Sequence, residues 1–113
     1  MAFKLAISET YTATVCVALP GDKVEKKFDV EFHRLRQAEL DELIGAIKRG
    51  EMDDEQFARR VLAGWNARHV LDADGNAVEF SSSALDELLG IFPVPASIVQ
   101  AFFDSIGGAR LKN

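Results

Sequence analysis

Apolar and polar positions alternate before residue 35 and recur at helical spacing after it. Phe3, Leu5 and Ile7 alternate with Lys4, Ala6 and Ser8, and the run from Thr12 to Leu19 is rich in Thr and Val, which suit a pleated surface. Pro20-Gly21-Asp22 interrupts the pattern. In the next run Val24, Phe28, Val30 and Phe32 share one face and Glu25, Lys27, Asp29, Glu31 and His33 the other, with only Lys26 intruding on the apolar side. The spacing predicts an antiparallel hairpin of residues 12–19 and 23–32, joined at Pro-Gly-Asp, with one buried face.

Leu40, Leu43, Ile44 and Ile47 predict a first helix, stopped at Gly50. Asp53 and Gln56 have the spacing of a capping box, and Phe57, Val61, Leu62 and Trp65 form the apolar stripe of a second helix. Ser83 and Asp86 open a third, with Leu85, Leu88, Leu89 and Phe92 on its apolar side. A last helix is expected from Pro95 to Ile106, carrying Ile98, Val99, Phe102, Phe103 and Ile106 and ending at Gly107-Gly108.

Between the second and third helices the chain is less regular. Trp65 is the only tryptophan and stands at a junction where a large, stiff ring can wedge elements together, so it is expected to anchor the core. Asp74-Gly75-Asn76 favours a tight turn, with Val70-Leu71 before it and Val78 and Phe80 after it as two short strands or an ordered loop.

At 113 residues, with 48% hydrophobic positions, the chain is expected to form one domain around one core. Residues 1–34 should be mainly β, 35–108 mainly α, and 109–113 a flexible tail. The fold class is therefore α+β, an N-terminal antiparallel sheet packed with about four C-terminal helices. A net charge of −5 and a pI near 5.0 work against phosphate or anionic lipid as partners. No basic segment leads an apolar one at the N-terminus, and no apolar run approaches the ~20 residues of a membrane span. Cys16 is the single cysteine. It lies in an apolar strand-like run, so a buried thiol is expected, and a reducing cytoplasm fits.

Candidate chemistry is sparse. His33 and His69 lie in different elements, neither with a Cys or second His at zinc-ligand spacing, and no phosphate loop or nucleophile elbow is present. Asp72-Ala73-Asp74-Gly75-Asn76 has the acids of a calcium loop, but Val70 and Ser81 stand where oxygen ligands are required, so a hairpin turn is favoured. Lys48-Arg49 and Arg59-Arg60 are interleaved with acids and suit solvated helix faces. No catalytic, metal or cofactor site is assigned.

The stretch Gly64-Trp65, then Asp74-Gly75-Asn76, then Val78-Glu79-Phe80-Ser81 leading into Ala84-Leu85-Asp86-Glu87-Leu88-Leu89 resembles the tail assembly chaperones of long-tailed bacteriophages and prophages. Pro93, a terminal helix with paired aromatics and the closing Lys112-Asn113 add to a similarity that covers roughly residues 35–113. The resemblance implies a non-enzymatic accessory protein of the bacterial host cytoplasm, absent from the finished virion. Such proteins coat the long, apolar, helical tape-measure protein and help recruit tail-tube subunits. In many members a ribosomal frameshift adds a second domain that bridges to the tube protein, and Lys112-Asn113 is compatible with an adenine-rich slippery sequence. Trp65, Leu71, Asp74, Gly75 and Phe80 are the motif positions, and Trp65, Leu71 and Phe80 are expected to hold the fold rather than touch a partner.

A holdase must bind apolar segments while staying soluble itself, which an acidic domain with one exposed apolar groove can do. Phe92, Ile98, Val99, Phe102 and Phe103 are the candidate partner-binding residues, rimmed by the acids of the first two helices, and the same stripe suits a homo-oligomer. The alternatives are a small virion structural protein, such as a tail-completion or head-tail joining component, and a small enzyme, for which no convergent polar group is present.

Overall fold

The computed structural model describes residues 2–111. Strands β1 (Thr10–Val17), β2 (Lys26–His33) and β3 (Leu62–Trp65) form one antiparallel sheet in the order β1-β2-β3. Helices α1 (Gln37–Lys48) and α2 (Asp54–Val61) come between β2 and β3, and α3 (Ser82–Leu89) and α4 (Val94–Leu111) follow. The fold is α+β, as the change of period predicts.

The β1–β2 hairpin forms with Val15 opposite Phe28 and Val17 opposite Lys26. Its buried face carries Val15, Val17, Phe28, Val30 and Phe32. Cys16 lies between two inward valines, so the pleat turns it out to solvent, and the expected buried thiol is exposed. The strands also stop short of the expected turn. Asp22 N donates to Leu19 O at 3.0 Å and Gly21 takes a positive φ of 89°, but Val24 lies in the loop beyond the covered part of the sheet and is exposed. Phe3, Leu5 and Ile7 form no strand and are exposed.

Helix α1 ends as its sequence predicts. Gly50 has a φ of 73°, its N–H donates to Ile47 O at 3.0 Å, and Glu51 N reaches Ala46 O at 2.9 Å, the paired bonds of a glycine-terminated helix. The Asp53–Gln56 capping box opens α2 with bonds of 2.8 and 2.9 Å. Helix α2 stops four residues before Trp65, however, because Leu62 turns extended and the chain passes directly into β3. Val30 pairs with Trp65 and Phe32 with Leu62, with a register shift between them. That one-residue bulge returns Leu62 and Trp65 to the same side of the sheet, which a helix achieves with the same three-residue spacing.

Helix α3 is capped by Ser81, whose Oγ accepts from Ala84 N at 3.1 Å, rather than by Ser83. Asp86, expected as the capping acid, instead accepts from Arg59 Nη1 at 2.7 Å and ties α3 to α2. Arg59 also meets Glu55 at 3.2 Å. Helix α4 begins one residue before Pro95 and continues through Gly107 and Gly108 to Leu111, past the expected stop. Of the expected tail, residues 109–111 belong to α4, and Lys112 and Asn113 lie outside the described residues.

The core lies between the sheet and the helices. Phe32 and Phe57 meet Phe102 edge-on at 5.3 and 5.4 Å between ring centroids, and Val94, Ile98, Leu85 and Leu89 complete it. Tyr11 OH meets Ser105 Oγ at 2.7 Å and links β1 to α4. Among the described residues no single helix is long and apolar enough to cross a membrane.

Candidate partner-binding surface

The apolar stripe of α4 divides into two rows. Val94, Ile98 and Phe102 recur every four residues and face the core; Ile98 is 0% and Phe102 1% exposed. Both were candidate partner-binding residues, and both are removed from that surface because the α4–sheet interface consumes them. Val99, Phe103 and Ile106 lie beside this row and are only partly buried. The Phe103 ring stacks on Phe57, with centroids 5.4 Å apart and 20° between planes.

Opposite this second row stands α1. Of its four apolar positions only Leu43 is buried, while Leu40, Ile44 and Ile47 remain half-open. A groove of ≈ 410 Å³ separates the two helices, walled by Leu40 and Ile44 on one side and Phe103, Ile106 and Gly107 on the other. It shares Leu40 and Ile106 with a second hollow of ≈ 320 Å³ beside Tyr11 and Leu35. Asp41 lines the rim, its Oδ1 accepting from Gln37 Nε2 at 3.0 Å. The acids of α2 do not line the groove; Glu55 is engaged by Arg59.

Phe92 occupies a separate place. Helices α3 and α4 meet at 101°, and Phe92 stands at this elbow, 76% exposed, next to the exposed Ile91. At about 1.5 Å of rise per residue the start of α4 at Val94 lies roughly 14 Å along the axis from Phe103, and Phe92 precedes that start. The five candidates thus comprise two core residues, Phe103 on the groove wall, Val99 partly buried against the core and outside the groove lining, and Phe92 on a separate corner. Leu40, Ile44 and Ile106 were not among the candidate residues; the five large apolar positions on α4, Ile106 among them, were the signal that part of that stripe is not covered.

The motif residues are structural to different degrees. Trp65 is buried, its Nε1 donates to Val78 O at 2.8 Å, and its ring meets Phe80 edge-on at 4.9 Å. Gly75 has a φ of 82°, as a turn glycine should. Asp74 supplies only its backbone N–H, at 2.9 Å, to Asp72 Oδ1, which also accepts from Asn76 N at 2.9 Å. Asp72, not assigned a role from sequence, therefore builds the turn. Leu71 forms a backbone bridge with Ala77, but its side chain is 57% exposed and does not hold the core as expected.

The histidines are apart. His33 ends β2 opposite Thr10, whereas His69 Nδ1 accepts from Asp29 N at 3.0 Å and caps the edge of β2 beyond the end of β3. Among the described residues no three His, Cys, Asp or Glu side chains are grouped to hold a metal ion. No protein-family model, curated protein or solved structure matches the chain.

Proposed function

We propose that this protein is a non-enzymatic tail assembly chaperone that holds apolar helical segments of a tape-measure protein in the α1–α4 groove. The resemblance of residues 64–89 supplies the class, and the half-open apolar groove on an acidic domain is the observation that carries the binding mode. Phe103 remains in the binding set on the groove wall, joined by Leu40, Ile44 and Ile106, with the partly buried Val99 one turn away on α4, and Phe92 gives a second contact further along the partner. A helix laid against α1 and α4 would bury its apolar face where those two helices fail to cover each other. The net charge of −5 keeps loaded chains from coalescing in the host cytoplasm. A frameshift-extended form would recruit tail-tube protein.

Co-expression with the tape-measure protein encoded beside this chain, followed by size-exclusion chromatography with light scattering, tests the reading. The tape-measure protein should become soluble and elute with several copies of this chain; a tape-measure protein that stays in the pellet contradicts it. A virion structural component is the second reading, favoured by the exposed apolar residues before β1, which suit repeated subunit contacts. Finding the chain in purified particles would establish it instead.

A further inference from the structure

The residues before β1 have the pattern of a strand and no strand to pair with. Phe3, Leu5 and Ile7, at 82%, 92% and 59% exposure, alternate with Lys4, Ala6 and Ser8. Among the described residues this arm joins no sheet. Its root is held, because Arg34 Nε donates to Ser8 O at 2.9 Å and Arg34 N to Glu9 O at 2.7 Å. Only Glu9 then separates Ser8 from Thr10, the first residue of β1. Common hairpins need a loop of about two residues or more, so the arm cannot fold back on its own β1 while that root is held.

Strand β1 is an edge of the sheet. Its eight residues include no charge and no proline, and the irregular pairing lies between β2 and β3 rather than here. Exposed edges are normally blunted by one of those devices, since their free N–H and C=O groups accept any extended chain.

We propose that the arm of one copy adds to the β1 edge of a second copy as a fourth, antiparallel strand, with every copy giving one arm and receiving one. The lengths agree: at about 3.3 Å per residue the arm spans ~23 Å and β1 ~26 Å. The faces agree as well. Pairing Phe3 with Val17, Leu5 with Val15 and Ile7 with Ala13 continues the covered face of β1, whereas a one-residue slip would set them among Thr12, Thr14 and Cys16. In the matched register Lys4, the arm's one charge, lies on the open face beside Cys16, in the row of Lys27 and one pleat repeat from Asp29, so the apolar face rather than charge pairing sets the register. Two such exchanges would bury on the order of 1,500 Å², the size of an ordinary stable interface. The assembly does not depend on the chaperone reading, and either can fail alone.

Light scattering at about 100 µM chain, a concentration at which such an exchange should be populated, reads the mass of the parent and of a Phe3→Ser/Leu5→Ser/Ile7→Ser variant. The parent should run at twice the chain mass or a higher whole multiple, and the variant at the single-chain mass with an unchanged far-UV spectrum. Lys4→Cys provides the register test. Residues directly opposite on antiparallel strands lie about 4.5–5.5 Å apart between Cα atoms, within disulfide reach, so mild oxidation should join position 4 to the exposed Cys16 of the second copy. Adding Cys16→Ser should abolish that product. A monomeric parent, an arm variant that keeps the parent's mass, or a cross-link that survives Cys16→Ser would overturn the proposal.

Discussion

Trp65→Phe isolates what the tryptophan does. Phenylalanine keeps an aromatic ring against Phe80 but removes the indole N–H that reaches Val78 O at 2.8 Å. Loss of one neutral hydrogen bond costs about 1 kcal/mol. The smaller ring also forfeits roughly 40 Å² of buried apolar contact, about 1 kcal/mol more. The sum, about 2 kcal/mol, corresponds to a fall in Tm of roughly 8–12 °C for a domain of this size. Urea unfolding gives the energy, and amide hydrogen exchange shows where it is lost. Val78 N donates to Val70 O and Asp72 N to Asn76 O, so both amides should lose protection beyond the global change as the hairpin comes free of its anchor. A cost below about 0.5 kcal/mol with those amides still protected would refute the view that Trp65 pins the 70–78 hairpin to the sheet.

Three other outcomes follow from the same structure. Phe102→Ala should cost about 3–5 kcal/mol in urea unfolding, whereas Phe92→Ser should stay within about 0.5 kcal/mol of the parent. Asp72→Ala removes the acceptor for two backbone amides and should cost about 1 kcal/mol, read as faster exchange at Asp74 and Asn76. The hydrogen bond and charge of Arg49 hold the Glu51 carboxyl below its ordinary value of 4.5. The stability this contributes is full above that value and is lost as pH falls through the lower folded one. Glu51→Gln should therefore flatten the acid limb of a urea-midpoint-versus-pH profile, most visibly at low salt.

The elements most legible in the sequence are those fixed by local chemistry. Gly50 and the Asp53–Gln56 box set helix ends through bonds within a few residues, and Val15, Phe28, Val30 and Phe32 set the hairpin by period alone. Strand β3 was hidden because Val61, Leu62 and Trp65 fit a helical stripe as well as a bulged strand, and only pairing with β2 decides between them. Cys16 was misread through its composition, although alternation with Val15 and Val17 already turned it outward. The candidate surface was half legible. Five apolar residues on α4 announced more than one contact, but their division into a buried row and a groove wall depends on where α1 and α2 lie, which no local spacing carries.

Hydrogen exchange on the protein co-purified with a co-expressed tape-measure protein, compared with the free chain, tests the central proposal most directly. The chaperone account predicts new protection concentrated in α1 and α4 around Leu40, Ile44, Phe103 and Ile106, with a smaller change near Phe92. Protection confined to other parts of the chain, or no difference in those two helices, would contradict it.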